Sequence, residues 1–77
     1  MMDKYTEIFD ELFKIGKEFN AQEIVRGEIK DWDSVGHISL VTKLEEAFDI
    51  MLDATDILQM NSYIKGIEIL KEYGVDL

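Results

Sequence analysis

The sequence predicts an all-α fold: a four-helix bundle with three longer helices and one short third helix. Three observations lead there. Apolar residues recur at helical spacing in separate stretches. No segment alternates polar and apolar residues for long enough to found a sheet, and Ile50, Met51 and Leu52 make only a brief apolar run. The breaks between stretches carry Gly, Asp, Asn and Ser at positions suited to helix ends. With 77 residues, 47% of them hydrophobic, the chain is expected to be one domain over 1–77 with a small core, and its composition is not that of a disordered segment.

The first helix is expected over residues 3–15. Tyr5, Ile8, Phe9, Leu12 and Phe13 form one stripe for burial. Asp3 suits its cap, Asp3 and Glu7 suit the positive end of its dipole, and Gly16 suits its stop. The next stretch, "GKEFNAQEIVRGEIKDWD", is weakly periodic and broken by Gly27. It is expected to be a long connection with a short helical turn over residues 21–25, pinned to the core by Phe19, Ile24, Val25 and Ile29. Such a long connection is uncommon in a small domain and is often functional. Trp32 is expected to close the end of the bundle.

The second helix is expected over Ser34–Phe48. Ile38, Val41, Leu44, Ala47 and Phe48 form its inner stripe, broadened by Leu40, while Gly36, Ser39, Lys43 and Glu46 make a polar outer face free to meet a partner. Asp53 suits the cap of a short third helix, Ala54–Gln59, with Ile57, Leu58 and Met60 available for burial. Met51 and Met60 suit core filling. Ser62 caps a last helix running to about residue 73 with the stripe Tyr63, Ile64, Ile67 and Leu70, and Gly74 ends it. Gly66 inside that helix costs ~1 kcal/mol relative to Ala, and it either permits a close approach of helices or is simply tolerated.

Charge narrows the function classes. Seventeen acids against eight bases give a net charge of -9. Such a chain has no cationic surplus with which to displace the counterions of nucleic-acid phosphates, and an anionic membrane is disfavoured for the same reason. A basic protein surface is the natural complement. No run approaches the ~20 apolar residues of a membrane span, and the first residues carry acids where a signal peptide has basic and apolar regions. The expected state is a cytoplasmic monomer. Without cysteine there is no disulfide, zinc–thiolate site or thiol chemistry, and a single histidine excludes multi-histidine metal centres.

The stretch richest in chemistry is "DWDSVGHISL", residues 31–40. Ser34 just before an amphipathic helix suits an N-cap, its hydroxyl accepting an orphan backbone N–H. A calcium loop would place Asp31, Asp33 and Gly36 at its first, third and sixth positions, but Val35 and Thr42 stand where side-chain oxygens are required. A catalytic serine needs an oriented base and an oxyanion site. His37 is three residues on, with no third group evident, and reads better as a partly exposed helix residue. A helix start also favours a phosphate through its free N–H groups and dipole, so a phosphodiester on Ser34 is physically sensible, but many capped helices meet the same description and local sequence alone favours the cap.

The run "DSVGHISLVTKLEEAFDI" resembles the acyl carrier protein family, whose motif is Asp-Ser-Leu followed by an amphipathic helix ending in Leu-Glu-Glu-x-Phe. Here Asp33-Ser34-Val35 and Leu44-Glu45-Glu46-Ala47-Phe48 match it, and the likeness extends ungapped through Asp49, Leu52 and Met60 to cover about residues 32–70. The resemblance implies an acyl-carrier-like domain that is not itself an enzyme. Ser34 would bear 4'-phosphopantetheine, attached from coenzyme A by a phosphopantetheinyl transferase, with Asp33 assisting through the transferase's magnesium. The imported thiol would hold an acyl or aminoacyl group as a thioester. A loading ligase and downstream transferases or synthases would meet the carrier at Val35, Gly36, His37, Ser39, Lys43, Glu45 and Glu46. Ile38, Leu44, Phe48, Leu52, Ile57 and Ile67 would be able to line a shelter for an acyl chain. Val35 replaces the family's Leu, the approach to the serine reads "IKDWDS", and Gly36 and Ser39 stand where fatty-acid carriers show acids. These departures resemble discrete carriers of dedicated pathways. The alternative from composition alone is an acidic helical interaction module without a prosthetic group.

Overall fold

The apolar spacing of the first segment is borne out as a buried face. The computed structural model describes residues 2–16 and 20–76. Helix α1 runs Met2–Phe13 and buries Tyr5, Ile8, Phe9 and Phe13, with Leu12 half-buried. Asp3 therefore lies in its first turn instead of ahead of it, and the helix stops short of Ile15. The chain leaves α1 through Lys14 at φ 53 and Gly16 at φ 79. The backbone N–H of Gly16 donates to Asp10 Oδ1 at 2.9 Å, so a side chain of α1 itself holds the turn.

The long connection is tied to the far end of the chain. It contains one 3-10 turn, Ala21–Glu23, capped by Asn20, whose side chain accepts from Gln22 N–H at 3.0 Å. Arg26 N–H then donates to Asn61 O at 2.8 Å, and Tyr63 N–H donates to Ile24 O at 2.9 Å. These bonds satisfy backbone groups that a packed loop would otherwise leave orphaned. Ile24 is buried in the core and Ile29 is half-buried against it, as their pinning role requires, whereas Val25 is half-buried without joining the residues packed on the core. Phe19 lies outside the described residues.

Three further helices follow: α2 over Ser34–Phe48, α3 over Ala54–Gln59 and α4 over Tyr63–Glu72. The described residues are mostly helical, and the extended pairing among them is confined to isolated bridges such as Val25 with Ser62. None of these helices is long and apolar enough to cross a membrane. Ser62 caps α4 as expected, its Oγ accepting from Lys65 N–H at 2.9 Å. Asp53 precedes α3 but makes no side-chain cap bond. Instead Tyr73 Oη accepts from Asp53 N–H at 2.9 Å and donates to Asp56 Oδ2 at 2.6 Å, anchoring α3 to the end of α4.

The phase of three helices differs from the expected stripes. In α2 the buried residues are His37, Leu40, Val41 and Leu44, while Ile38 is 66% exposed. Burial of His37 sets this phase, and its neighbour is turned ~100° away. In α3 Leu58 faces solvent, and Met60 just after it is buried. In α4 Gly66 and Ile69 are buried beside Tyr63 and Leu70, and Ile64 is turned outward. Met51 is exposed and fills no core. A Cβ on Gly66 would collide with Tyr5 Oη, so this glycine does permit α1 and α4 to touch. There Tyr5 Oη donates to Tyr63 O at 2.6 Å.

A series of rings carries the packing from that contact toward the start of α2. Tyr63 lies 4.9 Å from Tyr5 and 5.1 Å from Phe9, and Phe9 meets Trp32 edge-on at 5.4 Å. Phe13 stacks on Trp32 at 5.1 Å. Such geometries add to the area-based gain of burying large rings. Trp32, 2% exposed, thus fastens the connection immediately ahead of Ser34.

Candidate functional site

Asp33, not Ser34, caps α2. Its backbone is extended, at φ -99 and ψ -164, and its Oδ1 accepts from Gly36 N–H at 2.8 Å. Its carbonyl accepts the first helical bond, from His37 N–H at 2.8 Å. Either residue has a suitable oxygen, but only the residue outside the helical turn can reach back to the free N–H groups. Ser34 is consequently the first helical residue. Its side chain is exposed and makes no hydrogen bond among the described residues. The expectation that Ser34 is itself the structural cap is corrected. The calcium loop fails on the same geometry: α2 is continuous from Ser34, so Thr42 lies in mid-helix. No group of three metal-ligating side chains occurs among the described residues.

Several residues expected to face partners have internal tasks. Gly36 is half-buried, and a Cβ there would collide with the carbonyl oxygen of Asp31. It lets the connection pass tightly over the first turn of α2. His37, expected to be partly exposed, is 5% exposed. Its Nδ1 lies 2.9 Å from Trp32 Nε1 and its Nε2 lies 2.7 Å from Ile57 O. Indole nitrogen is only a donor, so Nδ1 accepts and Nε2 must carry the hydrogen that it gives to Ile57. One imidazole thus joins the connection, α2 and α3. Glu45 is half-buried, with Oε2 accepting from Leu52 N–H at 2.9 Å, and so organises the turn after α2.

The remaining expected contacts stay near the surface. Val35 is 73% exposed, Ser39 is half-buried, and Glu46 is exposed. Lys43 is exposed and paired with Glu11 of α1 at 2.7 Å. That hydrogen bond, followed by the charge of the same carboxylate, holds the Lys43 ammonium above its ordinary range. Ile38, expected among the lining of an acyl shelter, instead extends the exposed apolar surface begun by Val35.

Ser34 opens onto a cleft of about 670 Å³ between the connection and the residues ahead of α4. Arg26, Lys30 and Asn61 line it; from sequence, Arg26 and Lys30 have no assigned role and Asn61 stands only at the opening of the last helix. The available signal was charge: the two bases in "VRGEIKDWDS" are close to the serine in a chain with a large acidic excess. The Trp32–His37 bond was also missed. Its only trace in sequence is a donor-only indole five positions before the single histidine.

No protein-family model matches the chain, and no curated protein or solved structure matches it significantly.

Proposed function

We propose that the chain is a carrier of the acyl-carrier type, holding an acyl or aminoacyl group as a thioester on 4'-phosphopantetheine attached to Ser34. The observation that carries this proposal is the freedom of the Ser34 hydroxyl. Asp33 has taken the capping bond, leaving Ser34 exposed at a helix start with no side-chain hydrogen bond among the described residues. A phosphodiester formed there meets backbone N–H groups and the positive end of a 15-residue helix. The chain has no cysteine, so the thioester sulfur has to arrive on the prosthetic group. In the attachment step the Ser34 Oγ–P bond forms as coenzyme A's pyrophosphate P–O bond breaks. Adenosine bisphosphate leaves, and the serine proton passes to the transferase.

In this proposal Asp33 keeps its capping bond while presenting its other oxygen toward the transferase. Val35 and Ile38 offer apolar contact to partner enzymes, with Glu46 beyond them on the same helix. The bundle is acyl-carrier-protein-like, it works as a cytoplasmic monomer, and the fixed first turn of α2 presents the cargo. The test is incubation of the apo protein with coenzyme A, magnesium and a broad-specificity phosphopantetheinyl transferase. Intact mass should rise by one phosphopantetheine, and Ser34→Ala should abolish the rise. A wild-type chain that no transferase modifies would leave the acidic interaction module as the better description.

A further inference from the structure

We propose that the cleft beside Ser34 is the resting bed of the serine-linked arm, with Arg26 and Lys30 drawing in its phosphodiester. This rests on the carrier function proposed above and adds a binding site for the prosthetic group on the carrier's own surface.

Charge motivates the site. Modification adds an anion beside Asp31 and Asp33 in a chain already at -9. Between residues 31 and 60 Lys43 is the one base, and it is engaged with Glu11. Arg26 and Lys30 line the same cleft as Ser34, and neither takes part in an ion pair or side-chain hydrogen bond among the described residues. Glu28 and Asp33 also line the cleft. The unmodified cleft therefore carries balanced formal charge, and two free cations are available to the incoming phosphate. Arginine in particular offers a planar fork of donors matched to phosphate oxygens.

Shape and chemistry extend the fit beyond the phosphate. The volume, about 670 Å³, falls within the ~300–1,000 Å³ typical of small-ligand sites. Asn61 supplies a carboxamide with donors and an acceptor for the amides of an arm, while Ile29 and the edge of Trp32 supply apolar surface for its methylenes and methyls. The walls are held in place. Arg26 N–H is bonded to Asn61 O at 2.8 Å, and Trp32 N–H to Ile29 O at 3.1 Å. Gly27, at φ 100 with open space around its Cβ position, turns the rim back without narrowing the entrance. The bed is thus formed before modification, and the arm need only settle into it.

The absence of cysteine makes the test selective. The modified protein has its single thiol at the end of the arm, which can be labelled with a nitroxide. In the 15N-labelled protein, paramagnetic broadening should be several-fold stronger at the amides of residues 26–30 and 61 than on α3. Unlabelled modification should shift the same amides and the Trp32 indole N–H. Arg26→Gln with Lys30→Gln should spread the broadening evenly over the surface near Ser34, while the circular dichroism of the variant matches the parent's. A mass gain on Ser34 with broadening already even in the parent chain would overturn the bed and leave the carrier function standing. Absence of any mass gain would overturn both.

Discussion

Replacing His37 by Leu tests the internal frame of the site most directly. Leucine fills a similar space, so the loss is mainly polar. Trp32 Nε1–H, buried and deprived of its acceptor at 2.9 Å, would be unsatisfied. Such a group costs ~1–3 kcal/mol. Ile57 O would lose its bond from Nε2 at 2.7 Å, but it is only partly buried and can turn to water, so its share is nearer ~0.5–1 kcal/mol. Together these predict a loss of ~1.5–4 kcal/mol, a large part of the ~5–15 kcal/mol of a typical domain. In a chain of this length that lowers Tm by roughly 6–30 °C. Far-UV circular dichroism in urea and on heating measures it. The decisive comparison is Trp32→Phe alone and combined with His37→Leu. Once both partners are apolar no donor is stranded, so the double variant should lose less than the sum of the singles by ~1 kcal/mol or more. Strictly additive losses, or a His37→Leu variant as stable as the parent, would refute the bond as the reason for burying His37.

Three further outcomes are expected. Asp33→Ala should cost ~1 kcal/mol through loss of the cap, whereas Ser34→Ala should change stability by no more than ~0.5 kcal/mol in urea titrations while abolishing phosphopantetheine attachment. Gly66→Ala gains ~1 kcal/mol of helix propensity but drives a methyl into Tyr5 Oη. With an overpacking cost of ~1–3 kcal/mol, the expected result is a lower Tm, relieved in part by Tyr5→Phe. Burial, and then the neighbouring Tyr63, raise the Tyr5 phenol above its ordinary 10.0. The folded chain therefore keeps a proton that the unfolded chain releases. Stability is fully present below pH ~10 and is lost as pH rises beyond it toward the folded value. Urea midpoints compared at about pH 9 and about pH 11 should fall in the parent chain and fall less in Tyr5→Phe.

The tasks of the acids and glycines around α2 show why site residues are harder to assign than helices. Glu45 and Glu46 are adjacent and alike in sequence, yet one holds the turn at Leu52 and the other faces solvent. Gly36 looks like a gap in a recognition face until the carbonyl of Asp31 is seen above it. In both cases the deciding partner comes from a different element, and local periodicity carries no information about it.

By itself the sequence determined the order of the helices, the bounds of α2 and α3, the buried face of α1 and the capping role of Ser62. These depend on contacts within a few residues, where spacing and cap chemistry act directly. It also placed Ser34 at a helix start. Only the tertiary structure decided that His37 goes inside and that Ile38 goes out. The physical reason is one buried donor: Trp32, clamped between Phe13, Phe9 and the start of α2, requires an acceptor, and His37 can supply it only by turning inward. That rotation fixes the phase of α2, exposes Val35 and Ile38, and leaves the Ser34 hydroxyl facing an open cleft.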